Sequence, residues 1–220
     1  SGQRVAILEA RDIGAVTTGN TTAKVSLLQG TALSQISRRH SRPVVQAYVD
    51  GNLGAQRWIA EFCKHNDVAT ETADAYTYAV SGESVGSVEA EHRSCRAAGL
   101  PTRTVTDTEL PYPVASAVVL PNQIQFDPMP MLRAVSASAD SGGCTVETES
   151  GSVRGAHVVL ATGMPILDRG GFFARLEPER SYACAFEVAE TPPSGMYLSV
   201  DSPTRSIRTA PAANPRSASS

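Results

Sequence analysis

The sequence has no Gly-x-Gly-x-x-Gly turn, no Cys-x-x-Cys pair, no long basic tract and no long apolar run. Each absence excludes something. The four cysteines, Cys63, Cys95, Cys144 and Cys184, are widely scattered, so zinc and iron–sulfur sites lack support, and idle thiols of a reducing cytoplasm are the expectation. Lysine plus arginine number 19 against 22 acidic residues, a net charge of −3. That balance points to no nucleic acid partner and no anionic membrane surface. No apolar run nears the roughly 18–20 residues of a membrane span, and the opening has no secretory-signal pattern. A cytoplasmic chain with a small-molecule ligand is therefore expected. No triad or carboxylate pair stands out, and the four histidines sit apart, so none is given a role. That pattern is compatible with a cofactor carrying the hard step.

What is present is organised around Arg4–Lys24, RVAILEARDIGAVTTGNTTAK. Val5 to Leu8 is a short apolar run that stops at Glu9, as a buried parallel strand does when an acid stands at its carboxyl edge. A carboxylate there can accept two ribose hydroxyls of a dinucleotide. Thr17 to Thr22 gathers hydroxyl and amide side chains around Gly19, a loop able to bring N–H groups close to a pyrophosphate. The plainer alternatives are an ordinary strand end and an ordinary turn.

The length, 220 residues with 41% apolar, allows one large domain or two modest ones. Pro43 opens an expected helix reaching about His65 and stopped by Asn66-Asp67. Within it Gly51 and Gly54 each cost roughly 1 kcal/mol unless they mark a close backbone contact. Residues 34–40 read as loop or short helix. Ala75–Val80 reads as a strand, and Ser84–Ala98 as a helix ended by Gly99. Thr106–Leu110 reads as a short helical turn, and Ala117–Phe126 as extended. A helix capped by Asp127-Pro128 is expected to about Ala139, then a buried strand over Val153–Ala161. Ala183–Ala189 and Met196–Val200 read as antiparallel strands of a second sheet. Residues 209–220 are Ala, Ser and Pro-rich and are expected to be disordered.

The motifs RVAILEARDIG and TTGNTTAK, followed by Gln125-Phe126-Asp127-Pro128, VVLATGMP at 158–165 and Arg180-Ser181-Tyr182, resemble the FAD-dependent oxidoreductases of the D-amino-acid oxidase and glycine oxidase superfamily. The resemblance is closest to the branch often fused to a Rieske domain, although no Rieske-type Cys/His pairs occur here. It implies an α/β chain in which an FAD-binding Rossmann-like layer, about 1–65 plus 127–168, is covered by a mainly antiparallel substrate layer, about 66–126 plus 169–208. Its cofactor residues map onto Glu9, Ala10, Arg11, Thr18, Gly19, Asn20, Thr21, Thr22 and Lys24, with Ala161, Thr162 and Gly163 passing close to FAD. Lys24 would set a positive charge near the flavin; its alternative is a solvated lysine.

For an amine or amino-acid substrate, Arg205 and Arg208 are candidates to grip a carboxylate, and Tyr182 to line the substrate space. Solvated arginines and a half-buried aromatic are the competing readings. Against the family pattern the first strand and glycine turn are absent, Ser1-Gly2 reads as the end of a preceding helix, and Ser141-Gly142-Gly143 bridges a missing segment. The expectation is an FAD-dependent oxidoreductase domain of fragmentary extent. A non-catalytic remnant that no longer holds FAD is the alternative, and an NAD-dependent enzyme a third.

Overall fold

The computed structural model describes residues 8, 12, 14, 18, 21–136, 144–148, 151–155 and 181–210. The fold is mixed α/β. The chain divides into two compact units, Ser1–Thr21 with Pro128–Ala185, and Thr22–Asp127 with Phe186–Ser220. Segment 22–65, expected in the FAD layer, thus belongs to the second unit. From its helices Leu33, Val45 and Val49 join that unit's core.

In the second unit the elements run β1 (Lys24–Val25), α1 (Ala32–Arg39), α2 (Arg42–His65), β2 (Thr70–Ala79), α3 (Val85–Ala97), β3 (Arg103–Val105) and β4 (Ser116–Phe126). The last strands of the unit are β7 (Met196–Ser199) and β8 (Ser206–Ile207). The sheet order is β1-β4-β2-β7-β8, with β3 also on β4. β2 and β4 are antiparallel, Tyr76 facing Val119 and Ala79 facing Ser116. β7 lies parallel to β2, pairing Tyr76 with Tyr197, whereas β8 returns antiparallel to β7.

Period-two alternation sorts the sheet's two faces. Ala73, Ala75 and Ala79 of β2, with Val118 and Leu120 of β4 and Met196 of β7, meet Leu33, Val45, Val49, Val88 and Cys95 from the helices. Small alanines on the sheet let the helices approach closely. The opposite face carries Tyr78, Ala117 and Tyr197, covered by Leu110 and Val114. Burying each large side chain contributes roughly 1.5–3 kcal/mol.

The helices follow their sequence signals closely. α2 has Pro in its first turn and ends with Lys64 and His65 against its carboxyl-end dipole. α3 ends before Gly99, whose φ of +83° suits glycine and lets the Leu100 N–H reach the Cys95 carbonyl at 2.9 Å. A Cβ on Gly51 or Gly54 would meet nothing within 4 Å, so neither glycine serves a close contact among the described residues.

Three expectations need correction. Residues 106–110 contain bends and no helical turn; Glu109 anchors that segment by side-chain hydrogen bonds. Residues 183–189 are not a strand and are exposed; their apolar alternation has no partner strand among the described residues. β7 is parallel to its longer neighbour, so it is not the return strand of a hairpin.

The first unit contains α4 (Pro128–Ser136) and a hairpin of β5 (Cys144–Thr148) and β6 (Gly151–Gly155). In the hairpin Val146 pairs with Val153. The expected strand over 153–161 is thus seen only as far as Gly155, and residues beyond it lie outside the described set, as do 137–140 and 211–220. Cys63 and Cys95 are buried and Cys184 exposed, all as free thiols. Among the described residues no helix is long and apolar enough to cross a membrane.

Candidate functional site

β1 is only two residues long, yet it sets Lys24 at the edge of β4, with Lys24 opposite Gln125. From there the side chain runs to β7 and β8. Its ammonium donates to the Tyr197 carbonyl at 2.8 Å and to Ser206 Oγ at 2.6 Å. No carboxylate pairs with it among the described residues. Burial, and then the nearby Arg208 guanidinium, pull its pKa down from 10.5 to about 8.

Lys24, Gln29, Tyr76, Met196 and Leu198 line a cleft of about 240 Å³. Beside it stands an aromatic wall: Tyr76, which borders the cleft, lies on Tyr197 with centroids 4.3 Å apart, and Tyr78 meets Tyr197 edge-on at 6.1 Å on the sheet's other face. The Tyr78 hydroxyl bonds the Tyr112 hydroxyl at 2.9 Å. Burial raises the pKa values of Tyr76, Tyr78 and Tyr197, so the wall stays neutral.

Behind this wall Glu109 accepts from Ser194 N–H at 2.9 Å, Ser194 Oγ at 2.7 Å, Gly195 N–H at 3.1 Å and the Tyr197 hydroxyl at 3.1 Å. Burial alone would raise its pKa, but these donors outweigh it and hold the carboxyl below the usual range. Chemically the cleft is lined by one cation, Lys24, with the Arg208 charge near it and apolar side chains around it. A cleft of 240 Å³ lies under the roughly 300–1,000 Å³ of drug-sized pockets. That volume is small for a dinucleotide.

The candidate residues fall into three groups. Lys24 and Arg208 are brought together, Arg208 half-buried. Thr18 and Thr21 are exposed and Thr22 is half-buried. Tyr182 is 89% exposed. Arg205 is exposed and contributes its main chain, its N–H donating to Ser199 Oγ at 3.1 Å. Glu9, Ala10, Arg11, Gly19, Asn20, Ala161, Thr162 and Gly163 lie outside the described residues. Sequence reasoning missed Tyr76, Glu109 and Tyr197. The Tyr76-x-Tyr78 spacing carried a usable signal, since it sets two aromatics on one face of a strand; nothing marked Glu109.

A family model described as DAO, FAD dependent oxidoreductase, matches residues 1–214. The chain belongs to this family of FAD-dependent oxidoreductases. A relative named for a Rieske 2Fe-2S iron-sulfur protein, YhfW of Bacillus subtilis (strain 168), is 25% identical over 228 residues. The match takes in 94% of this chain and 45% of the relative, so the chain spans about half the length of the curated relative it matches. Among solved structures, the L-proline dehydrogenase from P. horikoshii is similar over 44% of this chain and 33% of that one. At 13% identity and a TM-score of 0.35 that likeness transfers no geometry. FAD is the cofactor of the DAO family.

Proposed function

We propose that the chain is the oxidoreductase part of a flavoprotein that oxidises an amino acid or related amine by hydride transfer to FAD. The family match across residues 1–214 is the observation that carries this reading. Bound FAD would supply the two-electron acceptor. Glu9, Ala10, Arg11, Gly19, Asn20 and Thr18, Thr21 and Thr22 are the residues proposed to bind it, with Ala161, Thr162 and Gly163. The unit of residues 1–21 and 128–185 is proposed as its layer.

The substrate end rests on the cleft. Lys24 and Arg208 carry positive charge that no acid neutralises among the described residues, and a substrate carboxylate would supply the missing charge. Tyr76 offers a flat apolar face to the rest of a small substrate, and Met196 and Leu198 keep that space dry. Arg205 and Tyr182 are left to solvent by this arrangement.

The test is an absorption spectrum after incubation with FAD and desalting, followed by anaerobic addition of small amino acids and of the matching amines without a carboxylate. Retained flavin bands that bleach with amino acids and far less with the bare amines support the proposal. A folded chain that retains no flavin would overturn it and leave the non-catalytic remnant as the reading.

A further inference from the structure

We infer that Glu109 is a specificity-determining positioning residue of the Lys24–Tyr76 cleft, acting through the Ser194-Gly195 turn and Tyr197. The inference rests on the reading of that cleft as the substrate's place. Glu109 itself does not line the cleft; it sits in the bend that follows β3.

The chain of contacts is short and specific. Four donors converge on one carboxylate: two main-chain N–H groups and two hydroxyls. Three of them belong to the turn that feeds directly into β7, and the fourth is the hydroxyl of Tyr197 within β7. The Tyr197 hydroxyl also lies 3.4 Å from the Glu109 N–H, so main chain and side chain of Glu109 both address one phenol. A carboxylate that accepts several N–H and O–H bonds fixes its donors in direction as well as distance.

The turn is pressed against the stacked rings of Tyr76 and Tyr197. A Cβ on Gly195 would lie 2.6 Å from Tyr76 Cε2 and 3.0 Å from the Tyr197 ring. Glycine at this position therefore lets the turn seat directly on the two stacked rings. Gly195 precedes Met196, and both Met196 and Leu198 line the cleft. The Tyr197 carbonyl is the acceptor for Lys24. Wall, floor and cation are all held by the short strand β7, whose entry Glu109 pins. β7 has β2 on one side and only the two-residue β8 on the other, so its main-chain ladder alone holds it weakly. With the carboxylate gone, four donors lose their acceptor and Tyr76 loses its backing. The cleft then widens and admits water to Lys24.

Lys24 reports on this without any substrate. The groups facing its ammonium are Tyr197 and Ser206 as acceptors and Arg208 as the like charge; Tyr76 and Gln29 share the cleft with it. Acetylation of Lys24 by acetic anhydride is followed across pH by peptide mass spectrometry in the full chain and in Glu109→Gln, Glu109→Asp and Ser194→Ala. Benzoate affinity is measured on the same samples by calorimetry. In Glu109→Gln the acetylation midpoint moves up towards that of an ordinary lysine and benzoate binding weakens about tenfold, while Glu109→Asp restores part of both. Ser194→Ala, which removes one hydroxyl donor and keeps both N–H groups, shifts the midpoint the same way by less, and answers the question should Glu109→Gln not fold. A Lys24 midpoint unchanged in a folded, merely less stable variant overturns the inference and leaves Glu109 as a loop staple. A shifted midpoint with no benzoate binding even by the unsubstituted chain sustains the positioning role and overturns the cleft's reading as a carboxylate site.

Discussion

Lys24 shows how one side chain's surroundings invert its usual electrostatics. An exposed lysine is charged through the neutral range and contributes little to stability either way. Here burial and Arg208 bring the folded pKa to about 8 from 10.5. The unfolded chain then holds the proton more firmly than the folded one between those two values. Unfolding therefore releases no proton there but binds one, and stability rises with pH through that window. Urea denaturation at pH 7.5 and at pH 10 should show a gain of about 2 kcal/mol at the higher pH from this group. Lys24→Met removes that slope. An unchanged slope in Lys24→Met would place the ammonium in solvent. The sequence flagged Lys24 and Arg208 separately, because each residue type suits an anion. It did not place them together, since nothing in their spacing shows that the Lys24 side chain reaches from β1 across to β7 and β8.

Elements built on local rules were legible, and those built on remote partners were not. α2 and α3 came from apolar periodicity, Pro43, Asn66 and Gly99, all within a few residues of the ends they set. α1 was ambiguous for a physical reason. Its N-cap Thr31 makes no side-chain capping bond, and its open N–H groups are met by Glu91 of α3, at 3.1 Å to Leu33 N and 2.7 Å to Ser34 N. A cap supplied 57 residues away leaves no local signature. Burial raises the Glu91 pKa, and the bonds from Ser34 and Leu33 partly oppose this. Glu91→Ala leaves two buried N–H groups without an acceptor and opens a cavity between α1 and α3, a loss of about 3 kcal/mol. Hydrogen exchange should then quicken first at Leu33 and Ser34. The opposite outcome is expected on α2. Gly51→Ala and Gly54→Ala should each stabilise by roughly 0.5–1 kcal/mol in urea melts, because an added methyl meets nothing within 4 Å.

At the scale of the whole molecule, the sheet owes its final form to chain ends that sequence patterns treat separately. Lys24 and Ser206 are 182 residues apart and share a hydrogen bond. β7 reaches its place beside β2 only after 116 residues of intervening chain, 196 − 79 − 1. Period-two patterning identified β2 and β4 but cannot specify which strand neighbours which, or in which direction. That is why 183–189, with a strand's alternation, reads with 196–200 as an antiparallel pair of a second sheet, whereas β7 joins β2 in parallel. The family resemblance was legible for the reverse reason, since a dinucleotide imposes fixed residue types on a short stretch of backbone. Binding to such a stretch links cofactor to folding. If the native chain alone holds FAD, saturation at about 100 times Kd adds about 2.7 kcal/mol to unfolding. For a chain of this size that corresponds to a rise in Tm of about 5–10 °C. Thermal melts over a series of FAD concentrations should show Tm rising with the logarithm of free FAD, with AMP giving a smaller rise through the adenosine end. Glu9→Gln should reduce both rises, because its carboxylate is proposed to hold the ribose. A Tm indifferent to FAD in a chain that melts cooperatively would mean that the family's cofactor motifs persist here without the site they once built.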